Sequence, residues 1–344
     1  MKVLDSVLRL PESLYRGVVA LRNRHYDRPG RSRRAGLPVV SVGNVTMGGT
    51  GKTPLVVWLA RRVQEAGCTP AIVSRGYGGT AGKGPLLVSA GEGPLCAART
   101  SGDEPQLLAL TLDRAWVIVG SDRVAGAALA AQKGADLAIL DDGFQHRRLD
   151  RDLDVVLLDA TNPFGNGRLL PAGSLREPVA ALARADVVVI TRSRAEDRFP
   201  EIEENVRRHN KTAPIVGAGH RVVGFVDPEG KLASPPRLAL AFCGIGSPDH
   251  FRRDLEAQGV ALVEMRAFRD HHRYTSAEIA GLRQRAEQRQ AVLVTTEKDR
   301  VRLGPEIAEQ AGPGLLALRI ETEVFRGQPL IEALQRVLEM GRGQ

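Results

Sequence analysis

The sequence is poor in aromatic residues and cysteine, and it lacks a long apolar segment. Phe, Tyr and Trp make up 4% of the 344 residues, so the core must be built mainly from Ala, Val, Leu and Ile. The longest apolar candidate, residues 178–190, contains two charged residues, and this excludes a transmembrane helix there. With 43% hydrophobic and 26% charged residues, the composition is typical of a soluble globular protein.

The cysteine content and the N-terminus both favour a reducing cytosol. Cys68, Cys96 and Cys243 are far apart and form no C-x-x-C pair, which argues against a zinc ribbon or a disulfide framework. The first residues carry no apolar segment followed by a small-residue cleavage site, so we expect no secretory signal.

Acidic residues are scarce at the start of the chain, where most of the net charge of +8 is concentrated. Residues 1–34 contain nine Lys or Arg and only three Asp or Glu. The same segment repeats apolar residues at helical spacing, and Pro11 is expected to divide it into two helices. The apolar positions are Val3, Val7, Leu14, Val18 and Leu21.

Two interpretations of this basic segment fit the pattern equally well. An apolar face beside an arginine-rich face is what a helix needs to lie on an anionic membrane surface. The same pattern also suits a helix that packs on its own domain and exposes a solvated basic face. Nucleic acid binding is disfavoured because few aromatic residues alternate with the basic ones.

Short, continuously apolar segments alternate with helical patterns over the rest of the chain, as expected for parallel strands covered on both faces. The sequence therefore predicts an α/β fold: a parallel sheet sandwich joined by a short linker to a smaller α/β domain. We expect a basic helical segment at 1–34, a first domain at 35–217, a turn-rich linker at 218–237 and a second domain with a C-terminal helix at 238–344. Predicted strands are 39–42, 71–74, 116–119, 137–140, 155–158, 187–190, 215–216, 238–243, 261–265, 291–295 and 315–319.

A glycine-rich loop follows the first predicted strand and precedes a helix with proline in its first turn. Its glycines let backbone N–H groups surround a phosphate, Lys52 can reach the terminal phosphates, and the Thr53 hydroxyl can bind Mg²⁺. The pattern departs from the usual P-loop at Thr46, where glycine is expected. We predict ATP or GTP binding by the loop residues Thr46, Met47, Gly48, Gly49, Thr50, Gly51, Lys52 and Thr53.

A P-loop also needs a carboxylate at the end of a neighbouring strand to hold Mg²⁺. Asp141 and Asp142 stand in that place, and Asp159 is a competitor that is better suited to capping the next turn. Asp103 precedes a helical pattern: it could cap the helix or accept a proton from an attacking hydroxyl, with Glu104 helping to hold the metal.

A polar loop in the second domain concentrates Asp270, His271 and His272. Adjacent histidines point in different directions, so a metal site with two histidines is disfavoured there. A pair of histidine and carboxylate in a cleft and a plain exposed loop both fit the pattern.

Together these residues closely resemble the tetraacyldisaccharide 4'-kinases of lipid A biosynthesis, and the resemblance covers nearly the whole chain. The most specific element is the Asp-Asp-Gly-Phe-Gln-His segment that begins at Asp141, combined with the phosphate loop. The matching segments begin at Ser41, Gly48, Ser74, Gly102, Asp141, Leu170, Leu175, Phe242, Phe268 and Thr296.

The resemblance implies transfer of the ATP γ-phosphate to the 4'-hydroxyl of a tetraacyldisaccharide 1-phosphate, giving lipid IVA. It implies that Asp103 is the base with His271 as its partner, and that Glu104, Asp141, Asp142 and Glu177 contact Mg²⁺ or substrate. It also favours a peripheral position on the cytoplasmic face of the bacterial inner membrane, through residues 1–34. No nucleic acid and no obligate protein partner are expected.

Other functions remain possible at this point. A nucleotide switch of the partitioning or metallochaperone type has a similar loop, but it normally carries lysine where Met47 stands. An ATP-gated scaffold on a lipid surface would bind nucleotide without transferring phosphate. A basic nucleic-acid ATPase is disfavoured because the charge is confined to one segment.

Overall fold

A computed structural model describes residues 2–82, 84–192 and 199–342. The side chains of residues 2–7 and of Pro305 lie outside this description, so the apolar face predicted at Val3 and Val7 lies outside the described residues.

Helices and strands alternate along the described chain, as the apolar patterning predicts. The helices are α1 (Lys2–Tyr26), α2 (Lys52–Glu65), α3 (Ala98–Ser101), α4 (Asp103–Thr111), α5 (Arg123–Gln132), α6 (Phe199–Arg207), α7 (Pro248–Ala257), α8 (Ser276–Gln288), α9 (Glu297–Ala311) and α10 (Gln328–Arg342), with a 3-10 helix at Val179–Arg184. The strands are β1 (Val39–Asn44), β2 (Pro70–Ser74), β3 (Leu86–Ser89), β4 (Trp116–Val119), β5 (Leu137–Asp141), β6 (Leu153–Asp159), β7 (Val187–Thr191), β8 (Ile215–Val226), β9 (Leu232–Ala233), β10 (Leu238–Cys243), β11 (Ala261–Ala267), β12 (Val292–Thr296) and β13 (Leu316–Phe325).

These strands form one 13-stranded sheet in the described ranges, in the order β11-β10-β12-β13-β8-β7-β6-β1-β5-β2-β4-β3, with β9 beside β8. Pairing is parallel except at β13–β8, β3–β4 and β8–β9. The α/β class and each predicted strand are confirmed. Because β1, β5, β6 and β7 are parallel neighbours, their carboxyl ends meet at one edge, where ligands bind in such folds.

The centre of the sheet is covered on both faces, which explains its continuously apolar strands. β1, β5, β6 and β7 are buried at every position. On one face α2 buries Leu55, Val56, Leu59, Ala60 and Val63 against them. This packing fixes the first turn of α2, and with it the phosphate loop, relative to the sheet.

The N-terminal segment differs from the prediction, because α1 is a single helix with Pro11 inside it. Pro11 has no N–H to donate within the helix, and its side chain is exposed. The residue that follows it fastens the helix to the body of the protein. Glu12 accepts hydrogen bonds from the backbone N–H of Leu169 at 3.0 Å and from Arg168 at 2.8 Å. Such contacts offset the lost hydrogen bond and keep the chain helical.

The segment after residue 218 is also more regular than the sequence indicates. β8 continues to Val226 and pairs antiparallel with β13 from Gly217 to Val226, which joins the two halves of the sheet by a ribbon. The helix at the C-terminus, α10, packs its buried leucines in the same core cluster as α2. The predicted domain boundaries at 217 and 238 stay predictions.

Candidate active site

The phosphate loop leaves the carboxyl end of β1 and runs into the N-terminus of α2. Gly51 is the N-cap residue and has φ 81°, a conformation that L-residues other than glycine seldom adopt. The first N–H groups of α2 have no partner within the helix, so they point toward an incoming anion. Gly48 and Gly49 have nothing within 4 Å of an added Cβ, which leaves room for a phosphate beside the loop.

Backbone contacts hold the N-terminal end of the loop. The Met47 N–H donates to the Ser174 carbonyl at 2.7 Å, and Thr46 forms an isolated antiparallel bridge with Leu175. Thr46 is therefore held as in a strand, which explains why glycine is not needed there. Met47 itself is exposed.

Two side chains from the end of β7 hold the other part of the loop. The Thr191 hydroxyl donates to the carbonyl oxygen of Thr50 at 2.8 Å, and Arg192 donates to that of Gly49 at 2.7 Å. Arg192 also pairs with Asp159 at 2.6 Å. Asp159 in turn accepts from the backbone and hydroxyl of Thr161, the turn-capping role that the sequence favoured.

Lys52 is the first residue of α2 and lies beside the carboxylate that follows β5. Its Nζ is 3.6 Å from Asp142 Oδ1 and donates to Asn44 Oδ1 at 3.1 Å. Arg176 donates to both oxygens of Asp142 at 2.8 and 2.9 Å. Burial alone would raise the pKa of Asp142, but Lys52 and Arg176 outweigh burial and hold that pKa below its usual range.

Asp141 differs sharply from its neighbour. Its carboxyl is buried, and burial, reinforced by the negative charge of Glu104, raises its pKa to about 7. A buried carboxylate beside other carboxylates favours any bound cation. Glu104 is itself 3.0 Å from the ammonium of Lys298 in α9.

The donor set around the loop fits Mg²⁺, although it forms no complete cage. Mg²⁺ is usually held by one or two carboxylates together with substrate phosphates and water. Within the parts of the chain that the structure describes, no group of three or more His, Cys, Asp or Glu side chains is arranged to hold a metal. The half-buried Thr53 and the buried Asp141 carry hydroxyl and carboxylate oxygens of the kind that such a shared site uses.

Asp103 and His271 are brought together from distant parts of the sequence. His271 Nδ1 lies 3.3 Å from Asp103 Oδ2. Asp103 is the first residue of α4, and the N-cap position that the sequence offered it is taken by Gly102. The residue before it, Gly102, has φ 92°, and a Cβ there would lie 2.5 Å from the Tyr77 carbonyl oxygen. Gly102 therefore places Asp103 at the start of a helix, as Gly51 places Lys52.

A side chain that the sequence did not single out also contacts this pair. Arg302 of α9 donates to Asp103 Oδ2 at 2.7 Å and lies 3.3 Å from His271 Nδ1. The sequence feature that could have pointed to Arg302 is its spacing from Asp299, three residues earlier on the same helix. The two side chains pair at 2.8 Å. Arg176 and Arg192 were missed as contact residues in the same way, since their partners are far along the chain.

Glu177 has contacts of a different kind from the other predicted residues. It is fully buried and accepts hydrogen bonds from Asn23 of α1 at 2.8 Å and from Arg184 at 3.0 Å. Arg22 of α1 lies 3.6 Å away. Glu177 thus joins α1 to the body of the protein, whereas Lys52 and Asp142 meet at the phosphate loop.

A parallel sheet with a glycine-rich loop, a lysine at the start of the following helix and an adjacent strand-end carboxylate defines a P-loop nucleotide-binding protein. A family model described as tetraacyldisaccharide-1-P 4'-kinase matches residues 4–339. The chain belongs to the tetraacyldisaccharide-1-P 4'-kinase family. The resemblance found in the sequence is thereby confirmed.

Individual relatives agree with this assignment. A tetraacyldisaccharide 4'-kinase of Anaeromyxobacter dehalogenans (strain 2CP-C) is 44% identical over 345 residues, covering 95% of this chain and 88% of that protein. One of Syntrophus aciditrophicus (strain SB) is 44% identical over 309 residues, covering 85% and 82%. The crystal structure of the "apo" form of LpxK from Aquifex aeolicus in complex with ATP has a TM-score of 0.78 at 30% identity, covering 97% of this chain and 99% of that one.

Proposed function

We propose that this chain transfers the γ-phosphate of ATP to the 4'-hydroxyl of a tetraacyldisaccharide 1-phosphate, giving lipid IVA in lipid A biosynthesis. The observation that carries the proposal is the family match over residues 4–339, combined with a phosphate loop whose Lys52 is 3.6 Å from Asp142. The ATP-bound relative from Aquifex aeolicus, similar over 97% of this chain, supports ATP as the phosphate donor.

The phosphate loop binds and orients the nucleotide in this proposal. The N-terminus of α2 and the loop N–H groups contact the phosphates, and Lys52 balances charge on the γ-phosphate as the bond to ADP breaks. Asp142, 3.6 Å from the Lys52 ammonium, and Asn44, which accepts from it at 3.1 Å, hold this charge beside the loop before the nucleotide binds. Preorganised charge of this kind supplies most of the rate in phosphoryl transfer.

Asp103 is proposed as the base and His271 as its partner. The 4'-hydroxyl is a weak nucleophile, so a carboxylate within hydrogen-bond reach accepts its proton as the oxygen–phosphorus bond forms. The contact of 3.3 Å between Asp103 and His271 supports this assignment, because it gives the proton a second acceptor. Transfer then yields the phosphorylated lipid and ADP, with the proton on the enzyme.

Mg²⁺ is proposed to bind between the nucleotide and the protein, where it neutralises phosphate charge. Thr53 in the first turn of α2 and Asp141 and Asp142 at the end of β5 are the proposed ligands, with Glu104 nearby. The raised pKa of Asp141 supports the assignment, because a cation stabilises the ionised carboxylate. Glu177 was predicted as a further ligand, but its hydrogen bond with Asn23 of α1 favours a structural role in which it holds α1 against the body of the protein.

We propose that the protein docks on the cytoplasmic face of the bacterial inner membrane and binds its lipid substrate there. No helix in the described residues is long and apolar enough to cross a membrane. α1 exposes Leu10, Leu14, Val18 and Leu21, each at least 65% exposed, while Glu12 and Val19 on its other side are buried. This exposed apolar stripe in a basic helix supports docking on anionic lipid.

The decisive test is transfer of label. We expect γ-labelled ATP with Mg²⁺ and tetraacyldisaccharide 1-phosphate in mixed micelles to give labelled lipid. Lys52→Ala and Asp103→Ala should lower the rate about 10²-fold or more. Arg208→Ala, an exposed substitution directly after α6, is the matched control and should behave as the unmodified protein.

ATP hydrolysis without labelled lipid would overturn the proposal and favour the nucleotide switch or the lipid-surface scaffold instead. Loss of ATP binding in Asp103→Ala would contradict the separate roles of the two residues, because Asp103 is assigned to the acceptor and Lys52 to the nucleotide.

A further inference from the structure

The ring of His271 has two neighbours that make opposite demands on the same nitrogen. Nδ1 lies 3.3 Å from Asp103 Oδ2, an acceptor, and 3.3 Å from Arg302 Nη2, a donor. Nδ1 can donate to Asp103 only if it carries a proton, and it can accept from Arg302 only if it does not. One contact must therefore prevail, and the choice sets the tautomer of His271.

Arg302 has the stronger position in this competition. Its guanidinium is always charged and can only donate. Its side chain is 3% exposed, so its N–H groups must find protein acceptors. Asp103 Oδ2 already accepts from Arg302 Nε at 2.7 Å, a shorter contact than the 3.3 Å to His271. Asp103 is thus satisfied without a proton from His271.

The arginine is itself fixed from behind. Arg302 Nη1 donates to Asp299 Oδ1 at 2.8 Å and to the Gly244 carbonyl oxygen. Asp299 is fully buried and also accepts from the Tyr274 hydroxyl at 2.9 Å and from the Gly244 N–H at 3.0 Å. These contacts hold the plane of the guanidinium, so that Nε and Nη2 face Asp103 and His271.

We propose that Arg302 is a positioning residue that orients Asp103 through Nε and holds the Nδ1 lone pair of His271 toward Nη2, so that the ring proton lies on Nε2. This inference rests on the proposed function for its kinetic consequence. When Asp103 accepts the proton of the substrate hydroxyl, Nδ1 can exchange its hydrogen bond from Arg302 for that proton. A His271 with its proton already on Nδ1 could not do so.

The remaining charged groups around His271 are consistent with this arrangement. Asp270 accepts from the backbone N–H of His271 at 2.9 Å, and its Oδ1 lies 3.9 Å from Nε2. A proton on Nε2 is therefore favoured by a nearby carboxylate. Tyr77 meets the ring edge-on with centroids 6.3 Å apart and presents no charge.

The tautomer is tested directly by nuclear magnetic resonance on the full chain labelled with ¹⁵N-histidine, without nucleotide. The His271 signals are identified by their loss in His271→Asn. We expect an unprotonated Nδ1 and a protonated Nε2 in the unmodified protein. Arg302→Met should move the proton to Nδ1, which then donates to Asp103. A protonated Nδ1 in the unmodified protein, or no change in Arg302→Met, would overturn the inference.

Kinetics on the same variants separate positioning from a merely structural role. We expect Arg302→Met to lower kcat about 10²-fold while KM for ATP stays within about threefold, and Arg302→Lys to recover about tenfold. Arg300→Met removes another arginine of α9, one that contacts Glu297 and Asp227, and should change neither kcat nor the His271 signals. If Arg302→Met lowers kcat and ATP affinity equally, and Arg302→Lys recovers neither, Arg302 is not a positioning residue.

The outcome also distinguishes this inference from the proposed function. If the unmodified protein shows the expected tautomer but never labels the lipid, the proposed reaction is wrong and the assignment of the tautomer stands. If it labels the lipid and Arg302→Met is as fast, the inference is wrong and the reaction stands.

Discussion

Arg192, at the end of β7, donates a hydrogen bond at 2.7 Å to the carbonyl oxygen of Gly49 in the phosphate loop. The arginine is held in turn by Asp159 at 2.6 Å. Since β6 lies between β7 and β1, this contact ties the loop to a strand that is not its neighbour. The shape of the loop therefore depends on residues that follow it by more than a hundred positions.

Replacing this arginine should weaken nucleotide binding before it affects chemistry. We expect Arg192→Ala to raise the Kd for ATP about fivefold, because one hydrogen bond to the loop, worth about 1 kcal/mol, is lost. Titration calorimetry measures the effect, and Arg208→Ala, directly after α6, is the control. An unchanged Kd with a lower kcat would contradict this assignment.

Asp141 should make stability depend on pH. In an unfolded chain its carboxyl ionises with a pKa of 3.8, and in the folded protein burial and Glu104 raise that pKa to about 7. Between these values the unfolded state ionises while the folded state keeps its proton. Stability therefore falls as the pH rises through this window, and the loss is complete above about pH 7.

Asp141→Asn removes this penalty. We compare the free energy of unfolding of the variant with that of the unmodified protein at two pH values. We expect the difference in favour of the variant to be larger at about pH 8 than at about pH 5, by roughly 2 to 3 kcal/mol. Urea unfolding with a chelator and without nucleotide measures the difference. Asp113→Asn, which removes an exposed carboxylate, is the control. A difference that does not vary with pH would rule out the raised pKa.

Glu177 should matter for α1 rather than for the metal. Glu177→Ala leaves the guanidinium of Arg184 and the amide of Asn23 without their carboxylate, and we expect a loss of about 3 kcal/mol in the free energy of unfolding. Limited proteolysis should also cut α1 faster. Glu203→Ala, on the partly exposed face of α6, is the matched control. A change in the Mg²⁺ dependence of phosphate transfer, with unchanged stability, would support a metal role instead.

The apolar stripe of α1 should determine binding to lipid. We expect the triple variant Leu14→Gln, Val18→Thr, Leu21→Gln to bind anionic vesicles at least about tenfold more weakly, because three exposed apolar side chains no longer enter the interface. Cosedimentation measures binding, and ATP affinity should not change. Loss of ATP affinity would indicate that the stripe is needed for the fold.

Local chemistry accounts for what the sequence could predict. The phosphate loop was predictable because its glycines, Lys52 and Thr53 are neighbours in the sequence and follow one strand. The buried parallel strands were recognisable because their apolar segments are continuous. Asp103 and His271 were paired only through the family resemblance, because spacing alone carries no information on contacts across 168 positions.

The rest depends on tertiary contacts that composition does not encode. Pro11 predicted a break in α1, but the contacts of Glu12 with the body keep the helix continuous. The turn signals at 227–230 and 234–236 suggested a turn-rich linker over 218–237, yet pairing with β13 makes β8 a strand of 12 residues. Arg176, Arg192 and Arg302 resemble ordinary surface arginines until their distant partners are placed.

The position of α10 has a consequence for how the protein is made. Leu330, Leu334 and Val337 of this last helix complete the same core cluster as Leu55 and Leu59, which lie under the phosphate loop. While the chain is being synthesised, that core stays open until the final helix has left the ribosome. We therefore expect nascent chains that lack α10 to bind ATP poorly and to engage chaperones, although every residue of the phosphate loop has already been translated.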